Sequence, residues 1–148
     1  MRKILILTAL VLSSFRASAF DFDGISLNMP YIKVAQEISK RGYAYDTDKN
    51  CLKGNCQGTE IYLYINYLDV KKPRMVGQLI VEIPMANNKQ SLDDATTLFN
   101  VVYHQVEKSA TSITYEVDKD GTQLVVSQKD SSIFLTYNTP FYQKPTQK

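Results

Sequence analysis

From residue 59 onward the sequence repeatedly sets apolar residues at every second position, the spacing that a β-strand sorts onto one face. In 59–68, Ile61, Leu63 and Ile65 fall on one side and Tyr62 and Tyr64 on the other. In 75–83, Leu79, Val81 and Ile83 point one way and Gln78 and Glu82 the other. The turn residues 69–73 join these segments into a hairpin whose exposed face carries Tyr62, Tyr64 and Ile80. Segments 113–117, 123–127 and 133–137, separated by Asp118-Lys119-Asp120-Gly121 and by the polar 128–131, read as a three-stranded meander. Connections this short favour antiparallel neighbours, and 148 residues hold one core and too little for two ordinary domains.

Two segments follow a helical spacing instead. Tyr31, Val34, Ala35 and Ile38 fall at i, i+3, i+4 and i+7 behind Pro30, and Lys40-Arg41-Gly42 gives a cationic last turn and a glycine stop, which predicts a helix over 30–41. Ser91 caps a second helix with Asp93 and Asp94 in its first turn, and the stripe Leu92, Ala95, Leu98, Phe99, Val102 and Val106 carries it to the neighbourhood of Lys108. Residues 20–27 read as a short strand or extended arm, and 46–58 as the longest irregular segment, a surface loop. The expected fold is α+β: one antiparallel sheet of about five to six strands with two amphipathic helices on one face, in the order β-α-β-β-α-β-β-β. It forms a single domain over 20–139, with a disordered tail at 140–148. Helix followed by hairpin occurs twice, a repetition of topology without aligned halves.

Residues 1–19 have the parts of a secretory signal: Arg2 and Lys3, the apolar run 4–12, and Ala17-Ser18-Ala19 before an expected cut at Phe20. The run is about half of the roughly 20 apolar residues that a spanning helix needs. No Cys near the leader end offers a lipid attachment, so a periplasmic or secreted chain with no membrane span is expected. Arg2, Lys3 and Arg16 are three of the 17 basic residues and the leader holds none of the 15 acidic ones, so the remainder carries a formal −1 with His neutral. Such a balance supplies no concentrated positive field for nucleic acid.

The two cysteines, Cys51 and Cys56, lie close together, and in an oxidising compartment that pattern is read as a disulfide closing Leu52-Lys53-Gly54-Asn55 into a small ring, either an ordinary loop staple or a stiffened recognition loop. Gly54 would give so small a ring its flexibility. The stretch from Gly24-Ile25-Ser26-Leu27-Asn28-Met29-Pro30 through the helix to Arg41-Gly42-Tyr43 resembles the opening of small exported bacterial proteins. Among these are the outer-membrane assembly lipoproteins of the BamE type and the β-lactamase inhibitor protein fold. The lipoproteins' lipidated Cys and the inhibitor's second disulfide are missing here. The resemblance implies a non-enzymatic exported protein that binds something.

His104 is the sole histidine, so any Ser-His-Asp or Cys-His arrangement must use it, and the helical reading turns it to solvent. The acid pairs Asp21/Asp23, Asp46/Asp48, Asp93/Asp94 and Asp118/Asp120 lack the apolar setting that prepares a carboxyl for glycoside hydrolysis. Asp46-Thr47-Asp48-Lys49-Asn50 opens like a calcium loop, but Cys51 and Gln57 stand where Gly and Glu are required. No GxSxG, P-loop or GxGxxG occurs, and neither a catalytic residue, a metal nor a cofactor is assigned. Ten Tyr without a Trp suit a surface that is half apolar and half wet. The expected function is that of an exported, non-enzymatic binding protein of a bacterial envelope with a protein partner, using Leu52, Lys53, Asn55, Tyr62 and Tyr64. The alternatives are a structural accessory subunit of a secretion or surface assembly, and a small hydrolase using His104 or an acid pair.

Overall fold

The described residues open on a two-residue turn. In the structure, a computed structural model describing residues 21–56, 58–67, 74–85 and 92–142, β1 (Asp21–Phe22) and β2 (Ile25–Ser26) pair across Asp23-Gly24. Both turn residues have positive φ, +50° and +79°, the mirror-image geometry that follows strand twist and that an Asp-Gly pair accepts. What was expected as one strand or arm over 20–27 is therefore a hairpin. Arg41 holds Asp23 at 3.2 Å, and Phe22 and Ile25 reach into the core. The expected leader over 1–19, the turn 69–73, the cap Ser91 and the end of the tail, 143–148, lie outside the described residues.

Helix α1 (Tyr31–Lys40) begins behind Pro30 and stops as expected at Gly42, whose φ of +90° suits glycine. It buries Val34 and Ile38. Then follow β3 (Ala44–Asp46), β4 (Cys51–Cys56), β5 (Thr59–Tyr67) and β6 (Val76–Pro84), helix α2 (Leu92–Val102), and β7 (His104–Lys108), β8 (Ser112–Glu116), β9 (Gln123–Lys129) and β10 (Ser132–Asn138). The larger sheet has eight antiparallel strands in the order β3-β4-β5-β6-β10-β9-β8-β7. Each helix thus leads a four-stranded meander. The last strands of the two meanders pair at the centre, with Val81 opposite Leu135 in the middle of the register.

The α+β reading holds, with more strands than the five to six expected, and the extra ones come from two places. Residues 46–58 are not one irregular loop: β4 occupies 51–56, because Leu52, Gly54 and Cys56 alternate onto the covered face in register with Leu63, Ile61 and Thr59. The helix expected to reach Lys108 ends at Val102, and 104–108 pair with β8 instead. Val101, Val102 and Tyr103 are β-branched or aromatic and weak in a helix interior, while the edge of β8 offers a backbone ladder. Val106, which had completed the helical stripe, lies at an irregularity in that ladder between Gln105 and Glu107, and is exposed. Residues 140–142 are also ordered: the Tyr142 and Phe141 backbone N–H groups donate to Thr139, whose hydroxyl bonds the Val76 carbonyl.

One cluster of buried residues joins the hairpin, both helices and the inward side of the sheet, including Phe22, Ile38, Val81, Phe99, Leu124 and Leu135. Both helices therefore pack on the same face, as expected. Among the described residues no helix is long and apolar enough to cross a membrane.

Gly54 is required by packing and not by a ring: a Cβ there would overlap the ring of Tyr43, which lies on the glycine. Gly54→Ala is therefore expected to lower stability by about 1–3 kcal/mol, as overpacking does. Urea denaturation would read this as a lower midpoint with an unchanged slope.

Candidate functional site

Among the described residues no helix lies on the face of the sheet opposite α1 and α2, and the registers of that uncovered face align side chains in rows. One row runs Lys53, Tyr62, Glu82, Phe134, Ser127, Ser112. The next runs Tyr64, Ile80, Thr136, Val125, Thr114, and a third Asn66, Gln78, Asn138, Gln123, Glu116. The middle row with Phe134 makes an apolar centre of half-buried side chains. The third row is an amide ladder, in which Asn66 donates to Gln78 at 2.9 Å and Gln78 to Asn138 at 2.9 Å. Aromatic and β-branched pairs of this kind also stabilise the strands that carry them.

At the opposite rim stands a carboxylate that alternation alone put there. Glu82 is outward on a central strand, yet only 8% exposed, because its neighbours close over it. Tyr64 donates its hydroxyl to Oε1 at 2.8 Å and Ser132 donates to Oε2 at 3.1 Å. Lys49, from the loop between β3 and β4, brings its Nζ to 3.3 Å from Oε2 and to 4.1 Å from the centre of the Tyr62 ring. The Tyr62 hydroxyl donates to Glu60 at 2.7 Å, and Lys53 sits 3.4 Å from that carboxylate. The half-exposed ion pair is worth roughly 0.2–1 kcal/mol and the cation over the ring roughly 0.5–1. Leaving the buried carboxylate without partners costs more than either, so Tyr64 and Ser132 are the fixed supports and Lys49 is the lighter one.

Of the residues expected to act together, Tyr62, Tyr64, Lys53 and Asn55 do share this face. Leu52 does not. It turns to the other side, where it lines a groove of about 480 Å³ between α1 and β3–β5 with Tyr31, Ala35, Tyr45 and Ile65. The expected disulfide is absent: Cys51 and Cys56 are both free and buried. They stand at opposite ends of β4, and an odd separation along a strand puts them on opposite faces, so no ring exists to stiffen a recognition loop. Cys51 lies against Tyr64, and Cys56 joins the core beside Tyr43. Among the described residues no group of three or more His, Cys, Asp or Glu could hold a metal. His104 is exposed on the edge strand β7 opposite Glu116. The acids beyond this face have local work: Asp93 meets Lys108 at 3.3 Å, and Asp118 accepts the N–H groups of Asp120 and Thr122.

Sequence reasoning missed Lys49, Ser132 and Phe134 and left Glu82 as an ordinary outward residue. The available signal was a lone acid in the middle of the otherwise apolar strand 79–83.

Burial pushes both thiols up, Cys56 to about 11. Iodoacetamide at pH 8 is therefore expected to label neither in the folded protein and both in urea, and a reductant is expected to leave Tm unchanged. Donation to Glu60 pushes the Tyr62 hydroxyl up to about 12, and burial with donation to Glu82 pushes Tyr64 well above the ordinary tyrosine value. The folded chain keeps these protons where an unfolded chain, with tyrosine pKa about 10, releases them. Their contribution to stability is complete below about pH 10 and is lost as pH rises towards 12. Phenolate absorbance should show these late titrations, and Tyr62→Phe should remove one of them. No protein-family model matches the chain, and neither a curated protein nor a solved structure does.

Proposed function

We propose that this chain is an exported, non-enzymatic binding protein of a bacterial envelope, periplasmic or secreted, and that the uncovered sheet face takes a protein partner. The observation that carries the reading is the apolar centre of that face. Tyr64, Ile80, Phe134 and Val125 project from four adjacent central strands, β5, β6, β10 and β9, with no helix of the described residues over them. A contiguous apolar patch rimmed by satisfied polar groups is the usual anatomy of an interaction surface. Tyrosine adds contact area at little entropic cost. The rows stand on central strands and not on loops, which presents them in a fixed arrangement.

Export rests on the leader pattern of residues 1–19. The non-enzymatic part draws support from His104, which stands exposed on the edge strand β7 opposite Glu116, four strands away from β6 and its buried Glu82.

Thr136 lies at the centre of the patch, between Ile80 and Val125. Thr136→Arg is expected to leave the fold intact and to abolish retention of a partner drawn from envelope and secreted fractions. Val101→Arg, at an 81% exposed position of α2, is expected to retain it. Equal retention by both variants would sink the proposal.

A further inference from the structure

We propose that the uncovered face carries a socket for a cationic side chain of the partner, arginine before lysine, and that Lys49 fills this socket in the free protein. The inference rests on reading that face as the binding surface.

The walls of the socket are fixed and its occupant is not. Tyr62 and Glu82 are opposite each other on β5 and β6, in the interior of the sheet. The Tyr62 ring is held through its hydroxyl by Glu60, and the Glu82 carboxylate by the hydroxyls of Tyr64 and Ser132. Lys49 arrives from the loop joining β3 to β4, and its side chain stays 41% exposed. Its Nζ lies 3.3 and 3.5 Å from the two Glu82 oxygens, longer than the 2.7–2.9 Å of a close charge-assisted bond. The ammonium thus sits loosely between a ring face and a carboxylate, both of which keep their shape when it leaves.

Charge decides what replaces it. Lys53 is committed to Glu60, so among the described residues lifting Lys49 leaves Glu82 without an ion-pair partner beside Tyr62, in a field to which Asp46 adds a further negative charge. A neutral side chain would regain only the ring contact and leave a mostly buried carboxylate hydrogen-bonded but without a counter-charge. A cation regains both. A guanidinium fits best, since its flat face stacks on the tyrosine while its fork addresses both carboxylate oxygens. Phe134 lies directly across from Glu82 and Ile80 across from Tyr64, so residues flanking the cation would meet apolar surface.

The test needs no partner. The wild-type protein and Lys49→Ser would be titrated with n-butylguanidinium, n-butylammonium and n-butanol, following the backbone amides of Tyr62, Glu82 and Phe134 by two-dimensional NMR. Removing the internal competitor is expected to tighten guanidinium binding roughly tenfold, the combined worth of the two contacts that Lys49 makes. Ammonium should follow more weakly and butanol not at all. The added change Glu82→Gln, with the amide spectrum confirming the fold, should abolish binding. Equal affinity in wild type and Lys49→Ser, binding of butanol as strong as that of the cations, or full binding after Glu82→Gln would each overturn the socket. If no variant binds the cations while Thr136→Arg still abolishes partner retention, the socket is wrong and the face stands. If the cations bind as expected and Thr136→Arg changes nothing, the face is not the partner's surface and the socket stands as a cation site alone.

Discussion

Among the described residues one face of an eight-stranded sheet is covered and the other is not, and the rest of the fold follows from that asymmetry. Strand alternation sends Ile61, Leu79, Val81, Leu124, Ile133 and Leu135 to one side, where two helices and the N-terminal hairpin exclude water from them. The same alternation obliges the intervening residues to meet solvent. A sheet this wide cannot make them all charged without crowding like charges across strands, so the outward rows are built of hydroxyls, amides, tyrosines and a few aliphatics. The uncovered face is in this sense a by-product of the core, and its apolar centre is the part that the core does not explain.

Glu82 shows how such a face acquires character. A carboxylate in the middle of a strand becomes mostly buried simply because its cross-strand and diagonal neighbours are large. It then requires donors, and the strands on either side supply Tyr64 and Ser132. Those bonds fix the tyrosine in turn. Polar satisfaction and aromatic placement are therefore a single arrangement here, and a change to one member is felt by the others.

Much of this was legible in the sequence. The helix stop at Gly42, the strands around Ile61–Leu63 and Leu79–Ile83, and the placement of Tyr62, Tyr64 and Ile80 on the outer face follow from local spacing, which needs no knowledge of distant residues. What was not legible depended on distant partners. The β4 strand hides behind a glycine and two polar residues, and its identity is set by Tyr43 packing on Gly54 and by pairing with β5. The two cysteines suggested a ring, and only the knowledge that they share a strand, with its two-residue period, separates them. The end of α2 was lost because Val106 happens to satisfy a helical stripe and a strand alike, and β8 settles the choice. Lys49 reaches a carboxylate 33 positions away, a contact no local pattern announces.

The position of β10 in the sheet has a consequence for how the chain comes together. The order β6-β10-β9 puts the last strand of the described residues at the centre, the seam between two meanders that are otherwise each built from sequence neighbours. Either meander closes by local hairpins, while the seam must await 132–138. Until it arrives, β6 and β9 present bare backbone edges flanked by apolar side chains, the kind of surface on which nascent chains stick to one another. A chain that emerges N-terminus first, whether from a ribosome or through a membrane pore, is therefore at its most adhesive just before 132–138 arrives, and the docking of that segment ends the exposure.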